Sequence, residues 1–253
     1  MQLPTSRRAL WLVIPSFNDS KRLARFLPEL CAALESSALE VAIQTVDDGS
    51  SEADKRQLNE LVCSTQNRYP FVRTALFQST NQGKGAAIMR GWEAADGNAD
   101  WLGFLDADGA IPAYEVRRVT DLLLRDGNPN SAIFASRVQL CGRKVERSLK
   151  RHFTGRIFAS MVGTWIDPHV YDSQCGFKLI SREAYRKIQP LLREKRFAFD
   201  VELLAALNHR ATTVEEVPVD WTDIPGSKVA LLRDSLQMFR SVRTIHSRMK
   251  EWH

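Results

Sequence analysis

A doubly wound α/β fold, with a mostly parallel, Rossmann-like sheet flanked by helices, is predicted by three observations. Short apolar runs alternate with amphipathic helical stretches from Leu10 to Ala135. The runs are apolar throughout, as strands covered by helices require. Four polar or glycine-rich motifs, Pro15–Asp19, Asp47–Ser50, Asn81–Gly85 and Asp106–Asp108, follow or flank these runs. In a doubly wound sheet they gather beyond the carboxyl ends of the strands, where ligands bind.

The elements follow in order. Leu10-Trp11-Leu12-Val13-Ile14 is a fully buried strand that stops at Pro15. Asp19 or Ser20 caps a helix through about Glu35, with Leu23, Phe26, Leu27, Leu30 and Leu34 on one face. Val41–Val46 is the second strand, Asp54–Cys63 a helix and Val72–Phe77 the third strand. Gly85–Ala95 is helical, Trp101–Leu105 a strand, Pro112–Leu124 a helix and Ala132–Ala135 a strand.

After Arg137 the pattern changes. Arg143, Lys144, Arg147, Lys150, Arg151 and Arg156 accompany Leu149, Phe153, Ile157 and Met161 at helical spacing. The loop Asp172–Lys178 leads into a strand over Lys178–Ile180, and Phe199 opens a helix. Val214–Trp221 reads as one late strand, suited to an edge because Pro218 lacks a ladder donor. From Val229 an amphipathic helix places Leu232, Leu236, Phe239, Val242 and Ile245 inside and Arg233, Arg240, Arg243 and Arg248 outside.

Composition bounds the function. At 253 residues and 44% hydrophobic, the chain suits one large domain with a full core. Its net charge of +5 favours anionic partners: phosphates, nucleic acid or an acidic membrane surface. Aromatic residues do not interleave with the basic run as stacking platforms would, and no nucleic-acid motif is present, so no nucleic-acid partner is expected. The cysteines Cys31, Cys63, Cys141 and Cys175 lack finger or redox spacing and read as reduced thiols of a cytoplasmic protein. Ala9–Ile14 is too short for a secretory signal, and no run approaches the roughly 20 apolar residues of a bilayer span. Any membrane role is expected to be peripheral, on the cytoplasmic face.

Asp106-Ala107-Asp108 leaves a strand, and residues i and i+2 of a strand point to one side. Two carboxylates so placed reach one hard cation, Mg²⁺ or Mn²⁺. The competing reading is a strand-ending Asp turn completed by Gly109. Asn81-Gln82-Gly83-Lys84-Gly85 is neither a Walker A loop nor a dinucleotide fingerprint. It holds a diphosphate through backbone N–H groups, or it is a turn with an exposed lysine. Asp48 accepts from a base or ribose, or closes an Asp-Gly turn. The basic stretch 137–156 meets a phosphate-bearing acceptor or anionic lipid, or its apolar stripe is core. Asp172 and Asp200 are candidate general bases, although Asp200 at a helix start also suits a cap. His169 has no metal-ligand spacing.

Taken together, Ile14-Pro15-x-Phe17-Asn18-Asp19, Asp47-Asp48-Gly49-Ser50, Asn81-x-Gly83-Lys84-Gly85 and Asp106-Ala107-Asp108 resemble the family 2 glycosyltransferases with the GT-A fold. The later motifs resemble the dolichyl-phosphate and polyprenyl-phosphate glucosyltransferases and their bacterial relatives. They are Ser136-Arg137, Asp172-Ser173-Gln174-Cys175-Gly176-Phe177-Lys178, Phe199-Asp200-x-Glu202-Leu203, Val217-Pro218-Val219-x-Trp221 and Gly226-Ser227-Lys228. The similarity spans roughly residues 10–245.

The resemblance implies an inverting transfer of a hexose, glucose, from a nucleoside diphosphate sugar, UDP-glucose, to a polyprenyl or dolichyl phosphate. It implies that Pro15, Phe17, Asp19 and Asp48 hold the nucleoside, with Gly83 and Lys84 near the base or diphosphate. Asp106, Ala107 and Asp108 would meet the diphosphate, the two acids through Mg²⁺ or Mn²⁺. Arg137, with Arg147 or Arg151, would hold the acceptor phosphate, and Lys228 would close over the donor. Asp108 with Asp200, the position of the usual family base, and then Asp172 make up the catalytic set. The implied organisation is one GT-A domain, 1–253. A nucleotide-sugar half (10–135) and an acceptor half (136–228) precede a C-terminal helix (229–253).

Two positions depart from the family pattern: Asp19 stands where Glu is usual, and Ala110 where some relatives carry a metal-binding Gln. The eukaryotic glucosyltransferases of this branch carry an N-terminal membrane helix, and no such run stands in this sequence. The alternative acceptor is therefore a soluble or saccharide hydroxyl, which would need the base.

Overall fold

The computed structural model describes residues 8–125, 128–139, 142–146, 170–224 and 231–252. Its strands are β1 (Ala9–Ser16), β2 (Glu40–Asp47), β3 (Leu76–Phe77), β4 (Trp101–Leu105), β5 (Ser131–Ser136), β6 (Val145–Glu146), β7 (Phe177–Ser181), β8 (Thr213–Pro218) and β9 (Trp221–Thr222). Its helices are α1 (Ser20–Glu35), α2 (Glu52–Arg68), α3 (Lys84–Glu93), α4 (Ala113–Leu122), α5 (Arg182–Ile188), α6 (Phe199–His209) and α7 (Leu231–Met249).

The main sheet runs β3-β2-β1-β4-β7-β5-β8, and β7 lies antiparallel to both of its neighbours. The apolar sequence of β1 suits this central place, because helices cover both faces. Pleating sends Leu10, Leu12 and Ile14 to one side and Trp11 and Val13 to the other. On the first side they meet Leu23 and Leu27 of α1, Leu58 of α2 and Val116 of α4. On the second they meet Ile88 and Trp92 of α3, Ile188 of α5 and Leu203 of α6. Each such leucine, fully buried, contributes about 1.5–3 kcal/mol. Leu27→Ala, at 0% exposure in α1, is expected to destabilise the protein by about 2–5 kcal/mol, checked by denaturant unfolding.

Several elements differ from their sequence reading. The helix expected at Asp54–Cys63 runs from Glu52 to Arg68, because Ser51 caps it and accepts from Asp54 N–H. The third strand shortens to Leu76–Phe77, and Val72 joins the sheet only by an isolated bridge to Ile43. Between them the Gln44 side chain takes the Thr74 carbonyl at 2.8 Å and interrupts the ladder. The late strand splits in two. Val219 N–H donates to Ser136, so Pro218 lacks its donor where none is needed, at the outer strand of the sheet. The chain then leaves the sheet, and β9 pairs with β6. Phe239, expected inside, is 45% exposed, whereas Val242 and Ile245 of the same helix are buried in the second core.

The basic amphipathic stretch from Arg147 on, with Arg151, together with Lys228 and the side chains of Leu232 and Leu236, lies outside the described residues. Cys31, Cys63 and Cys175 are free thiols. Among the described residues no helix is long and apolar enough to cross a membrane.

Candidate active site

Strand addition reverses at β1: β2 and β3 lie on one side, and β4 and its successors on the other. The crevice beyond such a reversal is the usual ligand site of an open α/β sheet. Here it lies between the segments following β1 and β4. Pro15, near the end of β1, leads to Phe17, which is 38% exposed. Asn18 adopts φ 48°, a left-handed conformation that Asn tolerates. It ties two loops together: its N–H donates to Ser50 Oγ at 2.7 Å, and its Oδ1 accepts from Ser51 N–H at 2.9 Å.

Asp19 occupies the cap position of α1, but only its backbone carbonyl caps, accepting from Arg22 and Leu23 N–H. Its carboxylate instead grips the Arg22 guanidinium at 2.6 and 2.7 Å. Arg22 also feels Asp108 and Asp106, so Asp19 reaches the paired acids through an arginine.

The glycine-rich loop is preset rather than open. Asp48 accepts from Gln82 N–H and Gly83 N–H, each at 2.8 Å, and Ala86 N–H donates to the Lys195 carbonyl at 3.0 Å. The Gln82 and Gly83 N–H groups are among those that the sequence reading offered to a diphosphate. Gly83 has φ +112°, and a Cβ there would overlap the Lys195 carbonyl, so glycine is required. Burial pushes the Asp48 carboxyl up despite its two N–H partners. The loop presents the next side chain, Lys84.

Lys84 Nζ lies 2.9 Å from Asp106 Oδ1 and 3.4 Å from Asp200 Oδ2. Burial opposes its charge, but the Asp106 and Asp200 carboxylates outweigh that and raise its pKa. Asp106 is half-exposed and its N–H donates to the Gly176 carbonyl at 2.8 Å. Gly176 also packs directly on the Asp106 carboxylate, where any Cβ would overlap it. Ala107 is buried, and Asp108 accepts from Ala110 N–H at 3.0 Å. Burial, and then the charge of Asp106, push the Asp108 carboxyl up.

This donor set fits a hard divalent cation: two like-charged oxygen ligands whose repulsion a cation would relieve. Among the described residues no cluster of three or more metal-ligand side chains exists. Such a cation would complete its shell with phosphate or water, as Mg²⁺ commonly does.

Arg137, partly exposed, and Asp172, buried, form a two-point pair. Nε and Nη2 donate to the two carboxylate oxygens at 2.7 Å each, and the Arg137 N–H adds a third bond at 2.8 Å. Burial works against Asp172 ionising, yet Arg137 holds its pKa at about 2. Trp221 stacks its ring 5.6 Å from the guanidinium, and Asp106 adds to its charge stabilisation. Asp200 is not the helix cap either: Ala198 takes that position, and the Asp200 carboxylate turns to two lysines.

The structure therefore brings Asp19, Lys84, Asp106, Asp108, Arg137, Asp172 and Asp200 into one electrostatic network. Sequence reasoning missed three members. Arg22 reads as an ordinary helix residue. Gly176 reads as part of a turn. Lys178, a lysine inside an apolar strand, was the visible signal, since lysine is almost never fully buried without a partner.

The mostly parallel seven-stranded sheet with its flanking helices is a GT-A fold. Solved structures agree. Glucosyl-3-phosphoglycerate synthase from Mycobacterium tuberculosis, in complex with Mn²⁺, UDP and phosphoglyceric acid, superposes with a TM-score of 0.69 at 15% identity, over 96% of this chain and 78% of that one. A mannosyltransferase from Pyrobaculum calidifontis, in complex with GDP-Man and Mn²⁺, gives 0.59 at 14% identity, over 97% and 71%. The chain belongs to glycosyl transferase family 2, whose profile matches residues 11–189. Among curated relatives, the dolichyl-phosphate beta-glucosyltransferase of Saccharomyces cerevisiae is 31% identical over 92% of this chain and 72% of its own length. Those of Dictyostelium discoideum (97% and 76%) and Homo sapiens (95% and 76%) are likewise 31% identical.

Proposed function

We propose that the protein transfers glucose from UDP-glucose to the phosphate of a polyprenyl or dolichyl lipid, inverting the anomeric carbon. The relatives act on dolichyl phosphate by name. The observation that carries the acceptor class is the state of the two candidate bases. Asp172 is locked to Arg137, and Asp200 is held by Lys84 and Lys178. A hydroxyl nucleophile needs a base within reach to take its proton. A lipid phosphate is already an anion at neutral pH and needs none.

In this reading a phosphate oxygen of the acceptor attacks the anomeric carbon as the bond to UDP breaks, and the electron pair leaves with the diphosphate. Asp106 and Asp108 would hold Mg²⁺ or Mn²⁺, which when bound offsets charge on that departing group. Lys84 adds a fixed positive charge beside Asp106. Pro15, Phe17 and Asp19 border the nucleoside, and Asp48 shapes that side through the loop it anchors. Arg137, held rigid by Asp172, receives the acceptor phosphate, with Arg147 or Arg151 as its partner and Lys228 over the donor. The basic stretch after Arg143 draws the protein to an anionic membrane face.

The direct test is UDP release from UDP-glucose with Mn²⁺, with and without a short polyprenyl phosphate in detergent. Release that depends on the lipid phosphate is the expected result. Release driven equally by a saccharide hydroxyl, with a pH profile rising through one ionisation, would replace this reading with the hydroxyl acceptor.

Gly176→Ala tests the seating of Asp106. The added methyl group must displace the carboxylate, and a misplacement of about 1 Å typically lowers turnover on the order of a hundredfold. Initial rates and a melting curve measured together would check it; an unchanged rate would show that Asp106 needs no such seat.

A further inference from the structure

Lys178 stands in the middle of a core strand. Its neighbours Phe177 and Leu179 are fully buried, and so is Lys178 itself. A buried ammonium is tolerated only with partners for its charge and its donors. Lys178 Nζ lies 2.5 Å from Asp200 Oδ1 and donates to the Cys175 carbonyl at 2.7 Å. Phe104 and Phe134 add cation–π contacts, with ring centroids 5.2 and 4.9 Å away. An apolar side chain of similar volume would fill this position without desolvating a charge, so packing alone does not call for a lysine.

Both polar partners lead into the site. The second Asp200 oxygen is 3.4 Å from Lys84 Nζ, which lies 2.9 Å from Asp106 Oδ1. Charges thus alternate, Lys178, Asp200, Lys84, Asp106, from inside β7 out to the half-exposed acid. The Cys175 carbonyl belongs to the loop whose Gly176 seats Asp106 and whose Asp172 holds Arg137. One buried ammonium touches Asp200, the anchor of Lys84, and the loop that also carries Asp172, the anchor of Arg137.

We infer that Lys178 is a positioning residue: it fixes Asp200 as the counter-ion that keeps Lys84 aimed at Asp106, so an incoming diphosphate meets a preset cation. Asp200 then takes no proton during the reaction. Groups oriented in advance need no reorganisation when charge arrives, which is where their advantage lies. The inference rests on the proposed nucleoside diphosphate sugar donor.

The test separates positioning from folding. Lys178→Met alone leaves Asp200 buried beside one lysine and is expected to lower the melting temperature. Lys178→Met/Asp200→Asn removes both charges together and is expected to recover most of that loss, since replacing both partners is close to neutral. In this double variant the calorimetric Kd for UDP with Mn²⁺ is expected to rise about tenfold or more, as for a lost charged hydrogen bond. The KM for UDP-glucose is expected to rise with it. Lys84→Met is expected to give the same loss of UDP affinity, and adding it to the double variant little more, because the residues act as one unit.

Equal UDP affinity in the wild type and the folded double variant would overturn the inference, leaving Lys178 a structural role only. So would a collapse of kcat at unchanged UDP affinity, the signature of Asp200 as proton acceptor. Wild-type protein that binds UDP yet transfers nothing to polyprenyl phosphate would refute the acceptor reading alone, and the UDP comparison would still decide the role of Lys178.

Discussion

Asp108→Asn is expected to reduce glucosyl transfer by about three orders of magnitude or more, equivalent to about 4 kcal/mol of barrier. The reason is the pairing of Asp108 with Asp106. A divalent cation held by this pair would bind through few protein oxygens, so each carboxylate would carry a large share of the site's affinity. The same substitution is expected to leave the metal-free protein as stable as the wild type, or more so. Burial and Asp106 raise the Asp108 carboxyl in the fold, so its ionised form opposes folding above the unfolded pKa. Removing the charge removes that opposition, a trade of stability against activity. Melting curves without metal, with UDP binding in the presence and absence of Mn²⁺, check both halves. A variant that keeps full transfer, or one whose UDP affinity stays Mn²⁺-dependent to the wild-type degree, would remove Asp108 from the metal site.

Arg137→Met is expected to destabilise the fold by about 3–5 kcal/mol, because it strands the buried Asp172 carboxylate. For a chain of this size that is on the order of a 10 °C fall in Tm. The pH dependence is distinctive. In the wild type Asp172 has a folded pKa of about 2, below its usual 3.8. Its pairing therefore stabilises fully above the unfolded pKa, by roughly 2 kcal/mol, and this is lost as pH falls from about 4 toward 2. In the variant, burial acts without Arg137, the Asp172 pKa moves up, and the defect is greatest at neutral pH and shrinks on acidification. Arg137→Met/Asp172→Asn is expected to recover most of the stability but none of the lipid-phosphate transfer. Recovery of transfer along with stability would show that Arg137 supports the fold and not the acceptor.

Much of the fold was legible because its signals are local. The apolar runs at Leu10–Ile14 and Trp101–Leu105 are β1 and β4, and they are central. Strand-end motifs mark one edge because any doubly wound sheet collects them there. Where the reading failed, a distant contact had overridden the local pattern. The Gln44 side chain cut short the third strand, and pairing with β6 drew Trp221 out of the eighth. Phe239 follows the helical stripe of Val242 and Ile245, yet it is 45% exposed while both of them are fully buried.

The site shows the same division. Which residues are chemical was readable from residue type and position: two acids leaving a strand, a lysine in a glycine-rich loop, an arginine opening a basic stretch. Which acid answers which cation was not. Lys84 meets Asp200 across 116 positions, Arg137 meets Asp172 across 35, and Asp48 meets Gly83 across 35. Sequence by itself determined the sheet, the edge and the family, because periodicity and short motifs act within a few residues. Only the tertiary structure decided that both candidate bases are already held by cations, because charge pairing depends on distance in space and on exclusion of water, and neither is written in local spacing.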